Sequence, residues 1–146
     1  MRILIFNWRD PKNPKSGGAE ILTHEMAKRW IEWGHEVTQF SSFFRNAKKE
    51  ETIDGVKFIR RGESDIRHLL RSTHFMAFWH YQMHFKGKFD VIIDEIHGLP
   101  FFSPLYIKEK KVALICEVAG KIWDTNFSFP FNIFGKLAEK IYFRFY

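Results

Sequence analysis

Four side chains able to exchange protons or hydrogen bonds fall just past two apolar runs: Asp94, Glu95 and His97 after Val91–Ile93, and Glu117 after Val112–Cys116. Carboxylates and imidazole accept hydrogen bonds from hydroxyl groups. The alternative use of Asp94 and Glu95 is to satisfy the N–H groups of a turn. Near the start of the chain, Ser16-Gly17-Gly18 precedes a helix-like stretch, where free backbone N–H groups and the helix dipole favour an anion. Gly17 and Gly18 would let a phosphate come close to the backbone, although a plain tight turn uses the same pair. The further glycines of a dinucleotide fingerprint and the Gly-Lys-Ser/Thr of a P-loop are absent.

His80 and His84 stand four apart on a helical stretch and can pair on a metal, but the run His-Tyr-Gln-Met-His has no glutamate and no third ligand is evident. No metal site is expected. Cys116 has no partner for a disulfide or for nucleophilic chemistry, and reads as a core residue.

The elements that must position these residues follow from hydrophobic pattern. Ile3–Phe6, Val91–Ile93 and Val112–Cys116 are continuous apolar runs and predict central strands buried on both faces. Val37–Phe40 and Val56–Ile59, interrupted by Thr38, Gln39 and Lys57, predict strands nearer an edge. Ala19, Leu22, Met26, Ala27 and Trp30 predict one apolar face on a first helix that Gly34 ends. A second helix is expected from Ser64 or Asp65 to about Phe85, with Ile66, Leu69, Leu70, Phe75 and Phe78 apolar. A short helix should follow Pro100 and Pro104 to Lys108, and a terminal helix should run from Asn132 through Leu137 and Ile141. The stretch 45–54 reads as a flexible loop. Together these predict an α/β, Rossmann-like, doubly wound parallel sheet in a single domain over residues 1–146, strand order 3-2-1-4-5. Such a sheet carries Gly17, Gly18, Asp94, Glu95, His97 and Glu117 to one edge, where these folds bind ligands.

The formal charge of +6 and pI near 9.5 favour anionic partners. Seventeen Phe and five Trp exceed what a core of this size needs, so some rings should lie on a binding surface. Aromatic and basic residues interleave from Lys121 to Tyr146, Trp123 and Phe127 included, which suits either a membrane interface or packing on another domain or on the sheet. The single cysteine and a strand at the start, in place of a signal peptide, predict a cytoplasmic setting, with contact at the inner face of an anionic membrane as the peripheral option. Arg60, Arg61, Arg67 and Arg71 raise nucleic acid as a partner, but no recognised nucleic-acid motif accompanies them and none is expected.

Gly17-Gly-Ala-Glu20 opening a helix, Gly34-His-Glu-Val37 after it, and Asp90-Val-Ile-Ile-Asp94 followed by Gly98-Leu-Pro-Phe-Phe-Ser-Pro-Leu-Tyr106 resemble, in order, the N-terminal domain of two-domain B-type retaining glycosyltransferases of family 4. The resemblance implies the acceptor-side half of an enzyme that moves a sugar from a nucleotide sugar to a hydroxyl acceptor, soluble or lipid-linked. It implies a C-terminal nucleotide-sugar domain as partner, no cofactor bound by this domain alone, and no turnover without that second domain. Family members often carry histidine after the fifth strand; here the matching stretch reads Ile115-Cys-Glu-Val-Ala-Gly120, which leaves Glu117 as the candidate catalytic residue. The same departure supports a rival reading, a noncatalytic binding or regulatory module of the same fold.

Overall fold

The computed structural model describes residues 1–65, 68–118, 120, 122–126 and 128–146. Six strands form one sheet in the order β3-β4-β2-β1-β5-β6: β1 (Arg2–Phe6), β2 (Glu36–Ser41), β3 (Glu50–Ile53), β4 (Val56–Arg60), β5 (Val91–His97) and β6 (Lys110–Glu117). All neighbours run parallel except the β3–β4 hairpin. The architecture is the expected α/β, Rossmann-like single sheet, and its five parallel strands keep the expected order.

Three strand expectations change. Residues 50–53, read as loop, add an antiparallel edge strand through a two-residue turn at Asp54-Gly55, both at positive φ (49° and 82°). That conformation is the one tight hairpin turns require, and Asp-Gly favours it. β2, expected near an edge because of its polar residues, is interior; the buried Gln39 amide N–H donates to the Arg9 carbonyl at 3.0 Å, so its donor is met inside. β6, expected to be central, is the outer strand, leaving Val112 and Ile115 about half exposed.

Helix α1 (Gly18–Glu32) covers one face of the sheet, where Ala27, Trp30 and Ile31 pack with Ile3, Ile5, Val37, Val56, Phe58 and Ile93. Its buried positions are Glu20, Thr23, His24 and Ala27, so the packing stripe is rotated from the expected one and Leu22 faces solvent. Gly34, at φ 81°, follows the helix as expected. The other face packs Leu4, Phe6, Phe40 and Ile92 against α2 (Thr73–His80) and the π-turn Tyr81–Phe85. α2 is capped by Ser72, whose hydroxyl accepts from the Phe75 N–H at 3.3 Å, and not by Ser64 or Asp65. Leu69 and Leu70 lie in a separate 3₁₀ turn and are exposed, while the stretch leading to Lys108 holds only the 3₁₀ turn Ser103–Leu105. Helices α3 (Ile122–Asn126) and α4 (Phe131–Tyr142) close the described chain. Among the described residues no helix is long and apolar enough to cross a membrane.

Candidate functional site

β1 lies between β2 and β5, so the chain leaves β1 toward one side of the sheet and later returns to its other side. This is the switch point where open α/β sheets form a crevice. One wall is the loop 7–17. Its shape comes from three Asx turns in succession: the Asn7, Asp10 and Asn13 side chains accept from the N–H groups of Arg9, Lys12 and Lys15 at 3.2, 2.9 and 3.0 Å. Proline after Asp10 and after Asn13 favours turn initiation, a sequence signal for this geometry that the apolar periodicity does not contain. Asp10 is further anchored by the buried Arg60 (2.6 Å) and by Ser41 (3.2 Å), and Arg60 also reaches Glu51 at 3.0 Å. Arg61 pairs with Glu50 and Arg71 with Glu63; Arg67 lies outside the described residues. The arginines that suggested nucleic acid are therefore largely occupied by acids.

The loop presents Trp8 and Arg9 to the crevice edge. The Trp8 indole donates to the Ser64 carbonyl at 2.8 Å, and the Arg9 guanidinium sits 4.3 Å from the ring centroid while donating to the Lys15 carbonyl. Arg9 makes no ion pair among the described residues. Neither Trp8 nor Arg9 stood out in the sequence, since their position depends on how the loop folds.

Gly17 and Gly18 open α1. Gly17 is extended, its N–H donates to Glu20 Oε2 at 2.7 Å, and a β-carbon on Gly18 would meet nothing within 4 Å. The fold does not demand glycine there, and the space above the helix start is open.

Asp94 and Glu95 diverge onto opposite faces of the sheet. The buried Asp94 carboxylate accepts from the N–H groups of Phe101 (3.0 Å) and Ser103 (3.2 Å) and from the Tyr146 hydroxyl. Its expected role in substrate binding gives way to turn satisfaction: it holds the segment after β5 in place. Burial still raises its pKa against these donors. Glu95, on the α1 face, is 1% exposed and neither carboxylate oxygen has a hydrogen-bond partner of good geometry. Burial, with Glu20 and Asp94 nearby, pushes it up to about 7, offset in part by the Cys116 thiol. Glu95 thus lies beneath the crevice surface, out of a ligand's direct reach. Cys116 is half-buried beside it, where burial and then the Glu95 charge push the thiol up to about 12.

His97 and Glu117 come together as strand-end neighbours. A register shift after Ile96 pairs His97 with Glu117, and the imidazole Nε2 lies 3.0 Å from Glu117 Oε2 with both side chains about one-third exposed. The His97 ring centroid is 6.3 Å from that of Trp8. His97 Nδ1 is buried without a partner. Among the described residues nothing else bonds to the Glu117 carboxylate. A carboxylate held by an imidazole, beside an indole face and a cation, can bind a hydroxylated ligand.

Trp123 packs inward: its indole donates to Glu139 Oε2 at 2.8 Å, and a β-carbon on Gly135 would overlap the ring. Lys121 and Phe127 lie outside the described residues. The His80 and His84 rings are 4.5 Å apart beside Phe40 and Phe85, and no group of three potential metal ligands occurs among the described residues. The chain matches no model of a known protein family and no curated protein.

Proposed function

We propose that this chain is the acceptor-side domain of a retaining glycosyltransferase, presenting a hydroxyl acceptor, soluble or lipid-linked, to a nucleotide sugar held by a second α/β domain. The observation that carries the reading is the Glu117–His97 pair at the ends of β5 and β6, 3.0 Å apart and beside Trp8. Glu117 accepts the hydrogen bond of the acceptor hydroxyl, and His97 orients the carboxylate. Trp8 supplies a flat apolar face for a sugar ring, and Arg9 with the Gly17-Gly18 turn receives the donor's phosphates. The domain binds and orients, so its contribution to rate is positional.

The noncatalytic reading draws on a specific observation. His97 Nε2 is engaged by Glu117 and Nδ1 is buried, so neither ring nitrogen is free to take a proton from a ligand. Binding without turnover would need nothing more.

Titrating the isotope-labelled chain with nucleoside diphosphates and with oligosaccharide acceptors, followed by NMR, tests the site. Shifts gathering at Trp8, Gly17, Gly18 and His97 support it; shifts that gather elsewhere, or none across the panel, refute it. Turnover in a protein that also carries the donor domain separates the two readings: turnover by the wild type that Glu117→Gln loses supports transfer, and binding with no turnover by the wild type supports the noncatalytic module.

A further inference from the structure

Among its described side chains, helix α4 buries a carboxylate and turns three aliphatic residues outward. Its inward positions include Gly135, Glu139 and Tyr142, with Glu139 5% exposed and bonded to Trp123 and the Gly120 N–H. Its outward positions include Ile133, Leu137 and Ile141, exposed by 54%, 53% and 47%. The spacing i, i+4, i+8 aligns these three side chains along one side of the helix. Phe129, 77% exposed, precedes the helix and Phe145, 53% exposed, follows it, so the apolar line extends past both ends.

Cations border this line. Lys140 lies one position from Ile141 and about 60° around the helix axis from Leu137, and Arg144 follows one turn later; both are exposed and neither makes an ion pair among the described residues. Lys136 is on the same side, paired with Asp124 at 2.5 Å. Glu139, the one acid between 129 and 146, points the other way. An aliphatic line bordered by two unpaired cations, with the nearby acid Asp124 held by Lys136, is complementary to an anionic lipid surface: acyl chains meet the aliphatic side chains and headgroup phosphates meet Lys140 and Arg144. A second copy of the chain fits less well, because a two-fold contact through this face would set Lys140 and Arg144 near their own counterparts.

We propose that α4 is a membrane-docking helix that lies in the plane of an anionic bilayer surface, with Ile133, Leu137 and Ile141 inserted and Lys140 and Arg144 at the headgroups. The inference is independent of sugar transfer. Nothing at Trp8, Gly17 or His97 enters it, and a failed ligand titration there would leave it standing.

Vesicle flotation of the full chain tests it, using phosphatidylcholine alone and phosphatidylcholine mixed with phosphatidylglycerol. Binding to the mixed vesicles that weakens with salt is expected, with Leu137→Glu abolishing it and Lys140→Gln/Arg144→Gln lowering it about tenfold or more. The substituted positions are all exposed, and far-UV circular dichroism with thermal melting checks that the variants fold; Ile133→Ser is the milder substitute should Leu137→Glu disturb the helix. No binding to either vesicle overturns the proposal, as does binding that ignores all of these substitutions. Self-association that Leu137→Glu dissolves, with vesicles left unbound, would also overturn it and assign the face to a second copy.

Discussion

The two halves of the sheet's C-terminal edge differ in how they hold buried charge. On the β2–β4 side, Arg60 and Asp10 are fully buried against each other at 2.6 Å, and Ser41, Glu51 and the Lys48 carbonyl take up further bonds. On the β5–β6 side, Glu95 is as deeply buried, yet its oxygens have no partner of good geometry, and Glu117 and His97 pair in partial exposure. A buried charge is tolerated only when paired or neutralised. The first half is consequently scaffold, which fixes the loop carrying Trp8 and Arg9. The second holds a group that must take a proton or find a partner, and such groups concentrate at sites of function.

Breaking the paired half should have the largest effect. Asp10→Ala strands the buried Arg60 guanidinium and releases the loop, and chemical denaturation should show a loss of about 3–5 kcal/mol. A loss below about 1 kcal/mol would mean that water or Glu51 replaces the carboxylate, and the contrast between the halves would fail.

The unpaired half should respond to pH and not to deletion. Glu95 is raised from 4.5 to about 7 in the fold, so the folded state holds its proton longer than the unfolded chain does. The stability this proton supplies is complete below about pH 4.5 and is lost as pH rises through 7. Relative to Glu95→Gln, the wild type should lose about 2–3 kcal/mol between pH 5 and pH 8. Using the difference matters, because His74 and His80 are both lowered to about 4, mainly by burial, and push stability the opposite way as pH rises from 4 to 6.5. Parallel pH profiles for the two proteins would show that Glu95 is solvated or paired after all.

Smaller effects sharpen the contrast at the surface. Gly18→Ala should change stability by less than about 0.5 kcal/mol, since no atom lies within 4 Å of the added β-carbon and the backbone is helical there. If diphosphate binding nonetheless weakens severalfold in the NMR titration, open space above the helix start is what the ligand uses. Glu117→Gln should move the melting temperature least of all, because a one-third-exposed pair contributes little. A marked drop in melting temperature would reclassify Glu117 and His97 as scaffold.

Much of the framework was legible in residue patterns. The five parallel strands and their order, α1, Gly34 and the C-terminal helix follow from apolar runs and a helical period, because burial in a two-faced sheet selects those patterns directly. Ranking the strands by polarity was less successful: Gln39 and Arg60 are buried in interior strands, each bonded to a group distant in sequence. The β3–β4 hairpin carries its signal in Asp54-Gly55 alone, too short for periodicity to register. At the site, alternation along β5 already separates Asp94 from Glu95 by face, but which of the two finds donors depends on where Phe101, Ser103 and Tyr146 arrive.

What the sequence by itself determined is the class of fold and the edge at which its polar residues gather, since both rest on local hydrophobic period and on strand-to-helix order. Only the tertiary structure decided that Asp94 is a fastening, that Glu95 is buried with only the Cys116 thiol beside it, that a register shift brings His97 onto Glu117, and that α4 turns its aliphatic side outward. These depend on contacts between segments from seven to about fifty residues apart. Pairing, burial and exposure belong to those meetings and are encoded in no single stretch of chain.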